Sequence, residues 1–297
     1  MATDRILPAI ALRLLSVLLL ATMGALIKVA ETRGVGVAEA LFFRQGGAAI
    51  TVAVVIALGP GVASVKTGRP GAHIRRTAVG LTSMACMFSA IMLLPLAEAT
   101  TLQFTVPIFA TILGALLLHE PTGWHRWGAV IAGFVGVLIV AQPGSGHFPF
   151  WGAVLGLVAA ALSALVSILL RQIGRTEPAM TTVFWFSTLS VPVLALPYAF
   201  TARMHDPLTW AILVAIGVVG GGGQIAMTAS LRLAPVSVVV PMDYSSLVWA
   251  TLYGWLLFGV LPAGATWIGA PVIIASGLYI VWREHVRRRV ETQQAIT

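Results

Sequence analysis

A helix that crosses the hydrocarbon core of a bilayer needs about 20 mostly apolar residues. This chain offers ten such runs in succession: Ala9–Ala30, Ala38–Leu58, Thr77–Leu96, Thr100–Leu118, Trp127–Ala141, Phe150–Leu170, Thr181–Phe200, Trp210–Leu231, Val236–Phe258 and Thr266–Trp282. Of its 297 residues 58% are hydrophobic and 9% charged, where a soluble domain carries about 25% charged residues. That leaves too little polar surface to cover a water-soluble globule, so lipid must be part of the solvent. Barrel strands are shorter and alternate in polarity. The expected fold is all-α and integral to a membrane, with ten transmembrane helices.

The connections are too short to house a soluble catalytic domain; the longest, Gly59–Arg76, carries Gly, Pro, Lys and Arg. The net charge of +8 sits in short tracts between apolar runs, which suits anionic lipid headgroups and argues against nucleic acid. If the N-terminus is cytoplasmic, fourteen Lys and Arg fall on the cytoplasmic side. Lys28, Arg33 and Arg203 fall outside, and Arg44 lies within a span. That asymmetry predicts an inner-membrane protein with both termini cytoplasmic. The tail beyond Trp282, with Arg287, Arg288 and Arg289, is expected to fray. Cys86 is the single cysteine, so no intramolecular disulfide or multi-cysteine metal site can form. The first apolar run is long and followed by many others, unlike a cleaved signal peptide. No Gly-Lys-Ser/Thr phosphate loop occurs, so ATP hydrolysis and a nucleotide cofactor are not expected.

The chain reads as a duplication. Ala40-Leu-Phe-Phe-Arg-Gln-Gly46 resembles Val183-Phe-Trp-Phe-Ser-Thr-Leu189, and Gly128–Gly136 resembles Gly269–Gly277. Lys28 corresponds to Arg171, each at the end of the first helix of its half. Halves of five helices, 1–143 and 144–297, would face opposite ways, a common construction of secondary transporters.

Gly254-Trp-Leu-Leu-Phe-Gly259, Pro262 and Trp267–Ile280, closing on Arg283-Glu284, resemble the end of an EamA repeat of the drug/metabolite transporter superfamily. Pro107, Gly114-Ala-Leu-Leu-Leu-His-Glu120 and Gly128–Gly136 form a matching version in the first half. The resemblance implies a ten-helix transporter with a central pathway between inverted halves, similar to the amino-acid exporter branch and not an enzyme. One departure is that Val260 follows Gly259 where the family pattern has the counterpart of Glu120.

Polar groups in lipid-buried helices are candidates for function. Asp243 lies in Pro241-Met-Asp-Tyr-Ser-Ser246. Pro241 removes a backbone donor and can open the helix there. Asp243 could bind an ammonium group or carry a proton, or serve as a structural partner of Arg232. Arg44, roughly 7–8 Å below a helix end, could hold a carboxylate through two hydrogen bonds, snorkel outward, or pair with Glu39 or Glu98. Gln103, Phe104, Trp185, Tyr244, Ser245 and Trp249 bring aromatic and polar groups into apolar helices, a wall suited to an amphipathic substrate or to ordinary packing. Gly220–Gly223 is read as interrupting helix eight, through close helix crossing with some hinge character. Gln224 and Thr228, one turn apart, would face the pathway. His119, Glu120 and His125 read as an interfacial cluster, not a metal site. The leading function is a secondary transporter or facilitator that exports amino acids, particularly large apolar or aromatic ones. Other metabolites or drugs are the alternative, and an integral-membrane enzyme is a remote one. The partners are a small-molecule substrate and membrane lipids.

Overall fold

The computed structural model describes residues 6–59, 61–117, 123–142, 149–234 and 239–294. Among them the chain is all helix, with no strand. The α-helices are α1 (Ile6–Thr32), α2 (Val37–Leu58), α3 (Pro70–Leu93), α4 (Leu96–Gln103), α5 (Val106–Leu117) and α6 (Trp124–Ala141), followed by α7 (Phe150–Ile173), α8 (Ala179–Thr201), α9 (Pro207–Leu233), α10 (Ser246–Phe258) and α11 (Gly264–Gln294). Short 3-10 turns occur at Val62–Val65 and Val240–Ser245. Among the described residues nine segments are long and apolar enough to cross a membrane, counting α4 and α5 as one. Helix is the required answer in lipid, because it pairs every backbone donor and acceptor within the segment. Ile50, Ile131, Leu138, Val193, Val218 and Ile268 stand exposed on the outside of the bundle, the surface expected of a protein solvated by acyl chains.

Local chemistry sets the helix starts. Asp206 caps α9 by accepting from the Thr209 backbone N–H at 3.4 Å and from its hydroxyl at 2.5 Å, and Pro207 fills the first helical position. Glu39 reaches back to the Gly36 N–H at 3.3 Å at the start of α2. Pro70 opens α3 about two turns before Thr77, where the apolar run begins. Arg75 and Arg76, expected in the loop, therefore sit inside a helix.

Four further expectations are corrected. The fourth span is not continuous: it breaks at Phe104–Thr105, between α4 and α5. Pro107 lacks an N–H and its ring crowds the carbonyl of Gln103. The ninth span, expected as a helix over Val236–Phe258 that Pro241 could open locally, is interrupted by a full 3-10 turn at Val240–Ser245, with regular helix again from Ser246. The eighth span is not interrupted, since α9 runs unbroken through Gly220–Gly223. The tail does not fray at Trp282, because α11 continues to Gln294.

Long helices pack in matched pairs. α1 lies along α9, α3 along α7, α6 along α11, and α2 against both α8 and α9. The broken fourth and ninth spans meet where α4 touches α10. The closest crossing is between α2 and α9: a methyl group on Gly47 would stand 2.5 Å from the backbone of Gly217. The glycine run of α9 has the same use, with Met23 of α1 against Gly220 and Thr51 of α2 against Gly221. At the α6–α11 crossing, a methyl on Gly136 would meet the Gly269 carbonyl at 3.0 Å. The two similar glycine segments noted in the sequence thus pack on one another, joined by the Ser276 hydroxyl donating to the Ala129 carbonyl at 2.5 Å.

Candidate functional site

Four helices, α2, α3, α8 and α9, surround a cavity of about 320 Å³. Its polar lining is Arg44, Thr51, Arg76, Ser187, Gln224 and Thr228; Val52, Met180, Phe186 and Ile225 are among the apolar groups. The cavity reaches Val55 near the end of α2, Leu233 at the end of α9 and Met180 near the start of α8. It therefore occupies the end of the bundle where α2 and α9 finish and α3 and α8 begin.

Rings close the opposite end. Phe42 stacks on Tyr198 at 4.4 Å between centroids, Phe43 meets Trp210 at 5.8 Å, and His205 meets Trp210 at 5.5 Å. Buried Glu39 accepts from His205 Nε2 at 3.1 Å and from the Arg203 backbone N–H at 3.3 Å. Arg33 pairs with Asp206 at 3.3 Å.

At the cavity's own end, Glu177 in the α7–α8 connection accepts from Thr67 at 2.5 Å and lies 2.6 Å from His73 Nε2. Burial works to raise the Glu177 carboxyl, but these hydrogen bonds and the imidazole outweigh it and hold the group below its ordinary value. Trp185 donates to the Val65 carbonyl at 2.9 Å and stacks on His73, tying this loop to α8.

A second cavity, of about 230 Å³, lies among α1, α3, α4, α9 and α10. Gln103, Phe104, Arg13 and Asp243 line it. Arg13 donates from Nε to Asp243 Oδ1 at 2.6 Å and from Nη2 to Oδ2. Gln103 donates to the Gly156 carbonyl at 3.3 Å. Gln103 of the broken fourth span and Asp243 of the broken ninth thus each bind a neighbouring helix, Gly156 of α7 and Arg13 of α1.

The ten sequence candidates therefore separate. Arg44, Gln224 and Thr228 line the larger cavity; Gln103, Phe104 and Asp243 line the smaller. Tyr244 packs on Phe104 at 4.9 Å. Ser245 donates to the Met242 carbonyl within the 3-10 turn, Trp249 lies 6.5 Å from Tyr253, and Trp185 is bound to the loop. These last four line neither cavity. Arg44 pairs with neither expected glutamate: its Nη1 donates to Gln45. Glu39 serves His205, and Glu98 accepts from the Ala263 N–H and the Thr266 hydroxyl at the start of α11. Asp243 is held by Arg13; the Arg232 side chain, like His119 and Glu120, lies outside the described residues. Arg76 was hidden because charges flanking an apolar run read as loop, and Arg13, though inside the first span, was counted with the cytoplasmic charges. Pro70, a residue favoured at the first helical position, was the signal that α3 begins earlier.

A bundle of membrane-length apolar helices with a cavity of mixed lining among four of them defines a multi-pass membrane protein of the transporter class. The EamA-like transporter family matches residues 7–142 and again 150–282, and the chain belongs to that family. It is 30% identical to a riboflavin transporter of Rhizobium johnstonii over 77% of this chain and 76% of that protein. It is 26% identical to a pseudopaline exporter of Pseudomonas aeruginosa over 93% and 96%. With an S-adenosylmethionine uptake transporter of Rickettsia bellii it shares 26% identity over 74% and 76%. A solved crystal structure shares the fold at 22% identity with a TM-score of 0.62, covering 94% of this chain and 98% of its own. The family and these relatives are transporters, not enzymes.

Proposed function

We propose that the chain is a secondary transporter or facilitator that moves an amphipathic organic metabolite by alternating access through the cavity among α2, α3, α8 and α9. The observation that carries this reading is a largely apolar cavity with polar groups, two arginines among them, at one end of those four helices and a ring cluster closing the other. The two halves, 1–143 and 144–297, are related by about a half-turn around an axis in the membrane plane. Exchanging each span for the one five places on turns the α1–α9 contact into α3–α7 and returns α2–α8 and α6–α11 to themselves, as such a relation requires. With both termini cytoplasmic in the inner membrane, the cavity faces the cytoplasm.

The substrate is wider than the amino acids that the sequence resemblance implies. Riboflavin and S-adenosylmethionine each join a flat ring system to a polar chain, and a cavity of mixed lining suits that format. Aromatic amino acids are the small end of the same class. Flux into proteoliposomes tests the reading, using aromatic amino acids, riboflavin and S-adenosylmethionine with and without a proton gradient. Saturable uptake of at least one, lost when Thr228→Trp fills the cavity, is the expected result. Undiminished uptake by Thr228→Trp would take the pathway elsewhere. A cysteine placed at Gly68 in a Cys86→Ser background reports orientation: labelling by an impermeant reagent in intact cells would reverse the topology.

A further inference from the structure

Two arginines line the larger cavity, and among the described residues no acidic side chain does. Arg44 is 8% exposed. Its Nη1 donates to Gln45, while its Nε has no hydrogen-bond partner. The Arg76 guanidinium lies 3.5 Å over the Phe186 ring, and its Nε and Nη1 are likewise unpartnered. This cation–π contact supplies no hydrogen-bond acceptor to those nitrogens. Arg13 and Arg33, by contrast, each meet a resident carboxylate, Asp243 and Asp206. Buried charge without a counter-charge is costly in a low-dielectric interior. Beside this cavity two guanidinium groups thus stand together, with three of their buried N–H groups lacking an acceptor.

We propose that this cavity holds its substrate by an oxyanion, a carboxylate on an apolar or aromatic body, clasped between Arg44 and Arg76. The guanidinium forks match the planar acceptor pair of a carboxylate. Val52, Met180 and Ile225 provide apolar area for the body of the molecule, and Ser187, Gln224 and Thr228 offer neutral polar contacts. The inference rests on this cavity being the transport site. It narrows the substrate to an organic anion or a zwitterion whose carboxylate enters the cavity.

The test uses the full chain with Cys86→Ser and Thr228→Cys, in nanodiscs of phosphatidylcholine alone. The thiol is modified with the anionic ethylsulfonate and the cationic ethyltrimethylammonium methanethiosulfonates, each rate divided by that with free 2-mercaptoethanol. The normalised rate should favour the anion by about tenfold, and Arg44→Gln with Arg76→Gln should bring the ratio near one. The compound 3-phenylpropionate should slow modification, and 3-phenylpropanol, with the same ring and no charge, should not. If neither reagent reaches the thiol, the cavity is closed to water, and the transport reading falls together with this one. Equal normalised rates, or equal protection by the two phenyl compounds, overturn the anion site and leave the transport reading standing. Protection by added phosphatidylglycerol in place of 3-phenylpropionate assigns the site to a lipid headgroup and also overturns the proposal. Should the double glutamine variant fail to fold, the two phenyl compounds on the unaltered arginines decide the question.

Discussion

Arg13 and Asp243, 230 residues apart in sequence, close a two-point ion pair between α1 and the 3-10 turn that leads into α10, with Arg13 Nε 2.6 Å from Asp243 Oδ1. The Arg13 side chain is 8% exposed and the Asp243 side chain 39%. The pair therefore spans a buried donor and a carboxylate that water still reaches at the edge of the smaller cavity. It joins the first helix of one half to the broken helix of the other.

Removing one member of that pair leaves a buried guanidinium without its acceptor. Asp243→Asn should lower stability by about 2 kcal/mol, toward the mild end because the carboxylate is part-exposed. Arg13→Gln together with Asp243→Asn should recover much of the loss. Thermal unfolding of the purified protein in detergent, run as a double-mutant cycle, checks the coupling. Strictly additive losses would show that the pair contributes no net interaction. Transport and its pH dependence measured on Asp243→Asn separate a structural pair from a proton carrier: survival of both leaves only the structural role.

The α2–α9 crossing should tolerate no side chain at Gly47. Its added methyl would lie 2.5 Å from the Gly217 backbone, whereas one on Gly46 meets nothing within 4 Å. Gly47→Ala should destabilise by about 1–3 kcal/mol or abolish accumulation in the membrane. Gly46→Ala should behave as the parent protein. Expression level and thermal stability of the two variants, side by side, give the answer.

Acid should release the loop held by Glu177. The carboxyl titrates below its ordinary value of 4.5 in the folded protein. Its contribution is therefore complete above that value and is lost as the pH falls through the lower folded value. Glu177→Gln should unfold at a lower temperature than the parent at pH 7, and the gap should narrow as the pH falls below 4.5 and close only below the lower folded value. A gap independent of pH would mean that the hydrogen bonds from Thr67 and His73, rather than the charge, hold the loop.

Opening the ring cluster should admit water from the closed end. Phe42 and Tyr198 are stacked nearly parallel, 3° apart, and Trp210 backs Phe43. Tyr198→Ala or Trp210→Ala should raise, several-fold, the rate at which an impermeant reagent outside sealed cells modifies a cysteine at Thr51, on the cavity wall. No change in rate would move the barrier away from these rings.

Much of this architecture was legible in the apolar runs, and particular residues show where legibility ended. The Gly220–Gly223 run was visible and its close helix crossing was read correctly, but the interruption expected of it does not occur. An isolated glycine run weakens a helix, whereas here α1 and α2 press against it and α9 stays whole. Pro241 pointed to an opening in the ninth span. The matching break at Phe104–Thr105 went unread because Pro107 lies inside an otherwise ordinary apolar run. Arg44 stood out as a charge within a span, while Arg76 was lost among the basic residues before one, although both line the same cavity.

The sequence by itself determined that the chain must be a bundle of membrane-spanning helices built from two similar series. Only helices of that length and polarity satisfy their backbones in hydrocarbon, and pattern along the chain records this directly. Only the tertiary structure decided that Asp243 belongs to Arg13, that Glu39 and Glu98 are bound elsewhere, and that Arg44 and Arg76 line one cavity with no carboxylate among its described residues. Those pairings depend on which helix faces meet across the bundle, and residues 32 or 230 apart carry no local signal of meeting.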